Sequence, residues 1–362
     1  MRKTLVRSAL ALAALVGSAA LALSLPAVQD ALVRRVVERL VAARPDALLA
    51  DGALRVLLCG SASPLAHPTR GRPCTAVIAG SRVFLVDVGP GAWNRLALWR
   101  IPGERVAAVL LTHFHSDHIG DLGEVDLQTW VAGRPGPLAV FGPPGVERVV
   151  AGFETAYEHD AGYRMAHHGA DLLTPAAEPL EAHAIPLGQD GAREGTAVVL
   201  DDGGLRITAF LVDHRPVEPA LGYRFDYGGR SVVVSGDTAA YPPLALAARG
   251  ADVLVHEAQA NHLVAIAQEA SARAGLARQA KILSDIPDYH TTPVEAARLA
   301  NDAGARLLVL THLTPPPLNA FVERVYVRGV SDVRPDGWLL GDDGTLVELP
   351  SGSDEIRVGK LE

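Results

Sequence analysis

The stretch Thr112-His113-Phe114-His115-Ser116-Asp117-His118 decides how this chain is read. Three imidazoles and a carboxylate fall within it. Residues 106–111 just before it form an apolar run that reads as a buried strand. Gly120 and Asp121 follow, ahead of a helix-like run over 122–131. The cluster therefore lies on a loop at a strand end, where a rigid scaffold can aim side chains into a cleft. This donor set suits a divalent metal, zinc first, with Mn2+ or Fe2+ as other candidates. A polar surface turn does not ordinarily collect His-x-His-x-Asp-His directly behind a buried strand.

Other strand ends carry polar residues of the same types. Residues 54–59 read as a strand, 60–73 as a Ser/Pro/Gly-rich loop, and 75–79 with 82–88 as a hairpin around Gly80-Ser81. A short strand at 138–141 and a helix over 145–157 follow, then an irregular stretch over 159–179. That stretch contains His167 and His168, which are candidate substrate-pocket residues rather than ligands. Strands over 182–187, 197–200 and 205–213 lead to His214. A second hairpin, 221–227 with 230–235, turns at Gly228-Gly229 and ends in Gly236-Asp237-Thr238. Residues 251–255 lead to His256-Glu257-Ala258, and 306–310 lead to Thr311-His312. Between them, 293–303 has helical spacing, with Thr291 or Thr292 as N-cap and Gly304 past its end. A helix from 318 and a closing strand at 345–349 complete the chain. The two hairpins echo each other, as do the Leu-Thr-His runs ending at His113 and His312. Two similar halves would stack two sheets with helices outside. Five histidines and two aspartates at strand ends are enough donors for two metals.

Composition narrows the function. The formal net charge is −8, so no broad basic excess favours nucleic acid. Aromatic residues are only 5%, which leaves little for base-stacking platforms. Arg2, Lys3 and Arg7 precede a stretch without charge from Ser8 to Gln29. This suits a signal peptide or a membrane anchor over 1–29, with the basic flank inside and the rest exported to the periplasm or held at the inner membrane. Residues 30–50 read as a stalk or linker helix, and 51–362 as the catalytic domain. The two cysteines, Cys59 and Cys74, exclude a zinc ribbon. They read equally as a cross-strand pair and as two small buried residues.

Taken together, the chain resembles the metallo-β-lactamase superfamily over roughly residues 54–349. The His113-x-His115-x-Asp117-His118 motif carries the resemblance. Asp213-His214 with Gly222-Tyr223-Arg224, Ser235-Gly236-Asp237-Thr238, Val255-His256-Glu257-Ala258, Tyr289-His290-Thr291-Thr292-Pro293 and Leu310-Thr311-His312 narrow it to the ribonuclease Z and zinc-dependent arylsulfatase branch. The resemblance implies an α/β fold, an αββα four-layer sandwich. It implies one zinc on His113, His115 and His214, another on Asp117, His118 and His312, and Asp237 between them. It also implies that Asp117 orients an attacking hydroxide and that His290, poised by Glu257, protonates the leaving oxygen.

Ribonuclease Z usually carries a long arm that clamps tRNA between the Gly-Tyr-Arg strand and the Ser-Gly-Asp-Thr motif. Here that interval is a plain hairpin. With the acidic balance and the export segment, this favours an exported arylsulfatase- or phosphoesterase-like hydrolase of a small-molecule ester, with nucleic acid disfavoured as a partner. The implied partners are then that ester, a membrane if the first helix is uncleaved, and a second copy in a homodimer. The alternatives are a ribonuclease Z-like phosphodiesterase, a lactonase or β-lactamase, and a non-catalytic metal-binding envelope protein.

Overall fold

The computed structural model describes residues 2–42, 48–188 and 194–361. The chain divides into two units, Met1–Asp46 and Ala47–Glu362. In the first, helices Arg2–Ser24 and Pro26–Ala42 are separated by a break at Leu25. Pro26 opens the second helix, where its missing N–H leaves no intrahelical bond unmade. Among the described residues no single helix is long and apolar enough to cross a membrane. The pair Leu15–Ser24 and Pro26–Arg39, bent by 79°, meets that measure together.

In the second unit, apolar runs between glycine turns form the strands β1 (Leu54–Gly60), β2 (Cys74–Ala79), β3 (Arg82–Val86), β4 (Val106–Leu110), β5 (Leu138–Gly142), β6 (Leu180–Ala184), β7 (Thr196–Asp202) and β8 (Leu205–His214). They continue with β9 (Val217–Tyr227), β10 (Arg230–Val234), β11 (Val253–Gln259), β12 (Leu307–Thr314), β13 (Trp338–Leu340), β14 (Thr345–Leu349) and β15 (Arg357–Lys360). One sheet has the order β15-β14-β1-β2-β3-β4-β5-β6, the other β13-β12-β11-β10-β9-β8-β7. From β1 to β6 the pairings run antiparallel, antiparallel, then parallel three times. From β8 to β13 they run the same way. The hairpins β2–β3 and β9–β10 thus hold equivalent places. The Leu-Thr-His echo has no such basis, because β4 corresponds to β11 and His312 lies on β12.

Alternation along each strand sends one set of side chains between the sheets. Val56, Leu58, Val77, Phe84, Val86 and Leu110 meet Ile207, Tyr223, Phe225, Val232, Val255 and Val309 there. Phe84 and Phe225 pack with ring centroids 6.2 Å apart. The outer face of the first sheet is covered by helices Ala92–Leu98, Leu122–Val131 and Val146–His168, and that of the second by Pro242–Ala247, Pro293–Ala303 and Ala320–Tyr326. The result is the αββα sandwich.

Helix Pro293–Ala303 shows why one sequence expectation is exact. Thr292 caps it, Glu295 closes a capping box, and Gly304 ends it at φ 65°. The 159–179 expectation is corrected. Helix Val146–His168 runs on without a break, and only then gives way to a loop. His167 and His168 are therefore exposed at its C-terminal end, where cations favour the helix dipole, and they join none of the side-chain clusters below. Helices Asn261–Arg273 and Ala277–Asp285 form an insertion that the sequence reading does not anticipate. Cys59 and Cys74 are joined as a disulfide between β1 and β2.

Candidate metal centre

The opening loop is clamped between the sheets. The Leu111 N–H donates to the Phe141 carbonyl at 2.8 Å, extending the first sheet. Its own carbonyl accepts from the Tyr223 hydroxyl at 2.6 Å, and the Thr112 carbonyl accepts from Leu221 N–H at 2.9 Å, both on β9. The Thr112 N–H and hydroxyl each donate to the Asp87 carboxylate at 2.8 Å. Asp87 sits at φ 58° and His312 at φ 47°, the left-handed region that side chains with a Cβ rarely adopt. Such strain concentrates at functional sites. Gly236, at φ 64°, lies so close to the Leu221 carbonyl that a Cβ there would come within 2.5 Å of it.

These constraints bring the candidate residues together. His113, His115, His214 and Asp237 offer ligand atoms within 4.8 Å of one another, and so do Asp117, His118 and His312. Asp237 Oδ2 lies 3.3 Å from His118 Nε2, 3.2 Å from His312 Nε2 and 3.9 Å from His214 Nε2. It stands between the two groups. Asp117 Oδ2 is 3.6 Å from both His118 Nε2 and His312 Nε2.

The surrounding bonds aim the free nitrogens inward. His118 Nδ1 donates to Asp87 Oδ2 at 2.8 Å, and His214 Nδ1 to the Tyr289 carbonyl at 3.1 Å. Thr112 Oγ1, already donating to Asp87, accepts from His113 Nδ1 at 3.0 Å. This turns Nε2 of all three toward the site. Asp117 Oδ2, His118 Nε2, His214 Nε2 and His312 Nε2 are buried with no hydrogen-bond partner. Several converging, unsatisfied buried donors would be costly unless a cation joined them. The residues fit a pair of divalent ions.

Electrostatics agrees. Burial pushes His113 well below its usual range and His214 down to about 4, so both are neutral and can ligate. Burial works against ionised Asp237, yet the His312 and His118 imidazoles hold it well below the carboxylate range. Burial also pulls His118 down, but the carboxylates of Asp237 and Asp87 outweigh it and raise it well above its usual value. Without a metal, a proton on His118 supplies the positive charge the site calls for.

At the rim, His290 Nδ1 donates to Glu257 Oε1 at 2.9 Å. The same oxygen accepts from the Thr291 and Thr238 N–H groups. Burial lowers His290, but the Glu257 carboxylate prevails and raises it to about 9. The Tyr289 ring packs against both His214 and His290, with centroids 4.8 and 4.6 Å away, and those two rings lie 5.3 Å from each other. The sequence reading placed all seven candidate ligands, together with Glu257 and His290, in what is one site. It missed Asp87, Thr112 and Tyr289 as its supports. The signal for Asp87 was present in the hairpin echo, where it stands at the end of β3 as Asp237 follows β10.

A model of the Beta-lactamase superfamily domain matches residues 82–313. A ribonuclease Z of Mycobacterium bovis (strain BCG / Pasteur 1173P2) is 41% identical over 266 residues, covering 72% of this chain and 86% of that protein. The chain belongs to the metallo-β-lactamase superfamily, in its ribonuclease Z branch. A ribonuclease Z of Mycobacterium sp. (strain KMS) is 38% identical over 301 residues, 83% of this chain and 97% of that one. The crystal structure of human tRNase Z, short form, shares the fold with a TM-score of 0.57 at 20% identity, over 82% of this chain and 99% of that one. Membership makes this a hydrolase built around a divalent-metal site. It also corrects the sequence reading. The arylsulfatase-like expectation, with a small ester as substrate and nucleic acid disfavoured, is overturned by ribonuclease Z relatives at this identity. Net charge summed over a chain does not describe the surface near one cleft. The β9–β10 hairpin is plain, and the clustered ligand residues are all in place beside it.

Proposed function

We propose that this protein is a ribonuclease Z-like phosphodiesterase that hydrolyses RNA, with two zinc ions. The identity to ribonuclease Z relatives carries this reading, and the chemistry of the site supports it. His113, His115 and His214 would hold one ion and Asp117, His118 and His312 the other, with Asp237 facing both. The imidazole and carboxylate donors suit zinc. When bound, such ions lower the pKa of water and neutralise charge on the phosphate oxygens. Asp117 orients the attacking water. Asp87 and Thr112 fix the tautomers of His118 and His113. His290, held by Glu257, gives its proton to the departing ribose oxygen. That role favours a phosphodiester, because an alkoxide leaves poorly without an acid whereas a phenolate leaves unaided.

Purified, metal-loaded protein should hydrolyse bis-p-nitrophenyl phosphate and lose that activity to a chelator. Hydrolysis of p-nitrophenyl sulfate with none of the diester would refute the proposal.

A further inference from the structure

The helix pair Arg2–Ser24 and Pro26–Ala42 has no role in the site and forms a unit of its own. Among the described side chains, most of its apolar ones are exposed. Leu10, Leu12, Leu15, Val16, Leu21 and Leu23 of the first helix are all exposed. A ribonuclease Z relative matched over 97% of its own length leaves 17% of this chain outside the match, room enough for such a unit. The second helix differs in kind from the first. Leu32, Val33, Val36, Val37 and Val41 fall along one side at helical spacing and are exposed, while Arg34, Arg35, Glu38 and Arg39 fall on the other. A helix uncharged from Ser8 onward followed by an amphipathic one, with a 79° bend between Leu15–Ser24 and Pro26–Arg39, matches two environments. The first suits a hydrocarbon interior, and the second suits the plane where hydrocarbon meets water. The charge pattern agrees, because cationic side chains on an interfacial helix attract anionic lipid headgroups.

We infer that this helix pair seats in a lipid bilayer and holds the hydrolase unit at the oxidising face of the membrane. Basic residues do not set the sidedness, since Arg2, Lys3 and Arg7 precede the apolar stretch and Arg34, Arg35 and Arg39 follow it. The Cys59–Cys74 disulfide does. It joins adjacent core strands, and both cysteines are buried. Such bonds persist outside the cytoplasm and are rare within it. A cleaved leader would need only the first helix; the exposed Val33-Val36-Val37-Val41 stripe needs a surface that stays. The observations behind this inference do not depend on the RNA reading, though a unit on that face would meet RNA outside the cytoplasm, and the two readings are tested by separate measurements.

The test uses the purified full chain with vesicles of phosphatidylcholine and phosphatidylglycerol. The chain should float with the vesicles, and the Leu15→Glu/Leu21→Glu variant should stay behind, with equal turnover of bis-p-nitrophenyl phosphate by both. Self-association without vesicle binding would overturn the proposal in favour of a second copy as the partner. In bacterial cells producing the full chain, the protein should stay with membranes after a carbonate wash. In denaturant without reductant, Cys59 and Cys74 should resist alkylation. Release of a shortened chain would overturn the anchor, and alkylation of both thiols would overturn the sidedness.

Discussion

Single residues set the chemistry, and each has a distinct signature. His115 is exposed at the mouth, and its Nδ1 lies 2.9 Å from His113 Nε2. Without an ion one ring can hydrogen-bond the other at this distance, and both residues belong to one cluster of ligand atoms. His115→Ala should lower bound metal and cut turnover by more than the ~10–100-fold typical of removing an outer partner; metal analysis with a diester assay reads both. His290→Ala should keep its metal and slow substrates with poor leaving groups most, which a leaving-group series would reveal. Equal slowing across the series would remove His290 from the acid role. The His290–Glu257 pair also predicts a pH dependence of stability. In the metal-free protein, the folded value of about 9 lies above the ordinary 6.5. The stabilisation is therefore full below 6.5 and is lost as pH rises through 9. The melting temperature of stripped wild-type protein, relative to Glu257→Gln, should fall across that window. Glutamine keeps an oxygen for the Thr238 and Thr291 N–H groups, so the difference isolates the charge.

At the scale of elements, legibility followed periodicity. Helix Leu122–Val131 was legible from its apolar residues, and Pro293–Ala303 because apolar spacing and end signals agree. The end of helix Val146–His168 was not, because its second half, Glu158-His159-Asp160-Ala161-Gly162-Tyr163, buries only Ala161 and so carries almost no apolar stripe. Helices Asn261–Arg273 and Ala277–Asp285 bury only Val264, Ser271, Ala280 and Leu283, although Ala277–Asp285 does carry an apolar side. The seven candidate ligands were legible because each follows an apolar strand. The place of Asp87 after an apolar strand was visible too, but its role was not, because its side chain serves Thr112 and His118 and that pairing shows only in three dimensions. The disulfide between β1 and β2 was an even choice in sequence, since spacing alone cannot show strand adjacency. It spans a separation of 15 residues. Replacing both cysteines with alanine should cost about 3 kcal/mol by loop-closure entropy. Denaturant unfolding would measure this, and metal content should not change because neither cysteine is among the clustered ligand residues.

For the whole molecule, two similar half-sandwiches place their strand ends at one edge, and that edge holds every candidate ligand. The opening motif supplies four of the seven, and β8, the β10 end and β12 supply the rest. The fold thereby gathers a candidate two-ion centre from strand ends of both sheets. The family assignment then replaces a small ester with RNA as the proposed substrate. The decisive measurement is cleavage of a 3′-extended precursor tRNA by the metal-loaded protein in 18O-labelled water. The account predicts chelator-sensitive cleavage, absent in His115→Ala, with one labelled oxygen in the product phosphate and no 2′,3′-cyclic phosphate. An intact precursor, or a cyclic phosphate from attack by the ribose 2′-hydroxyl, would contradict it.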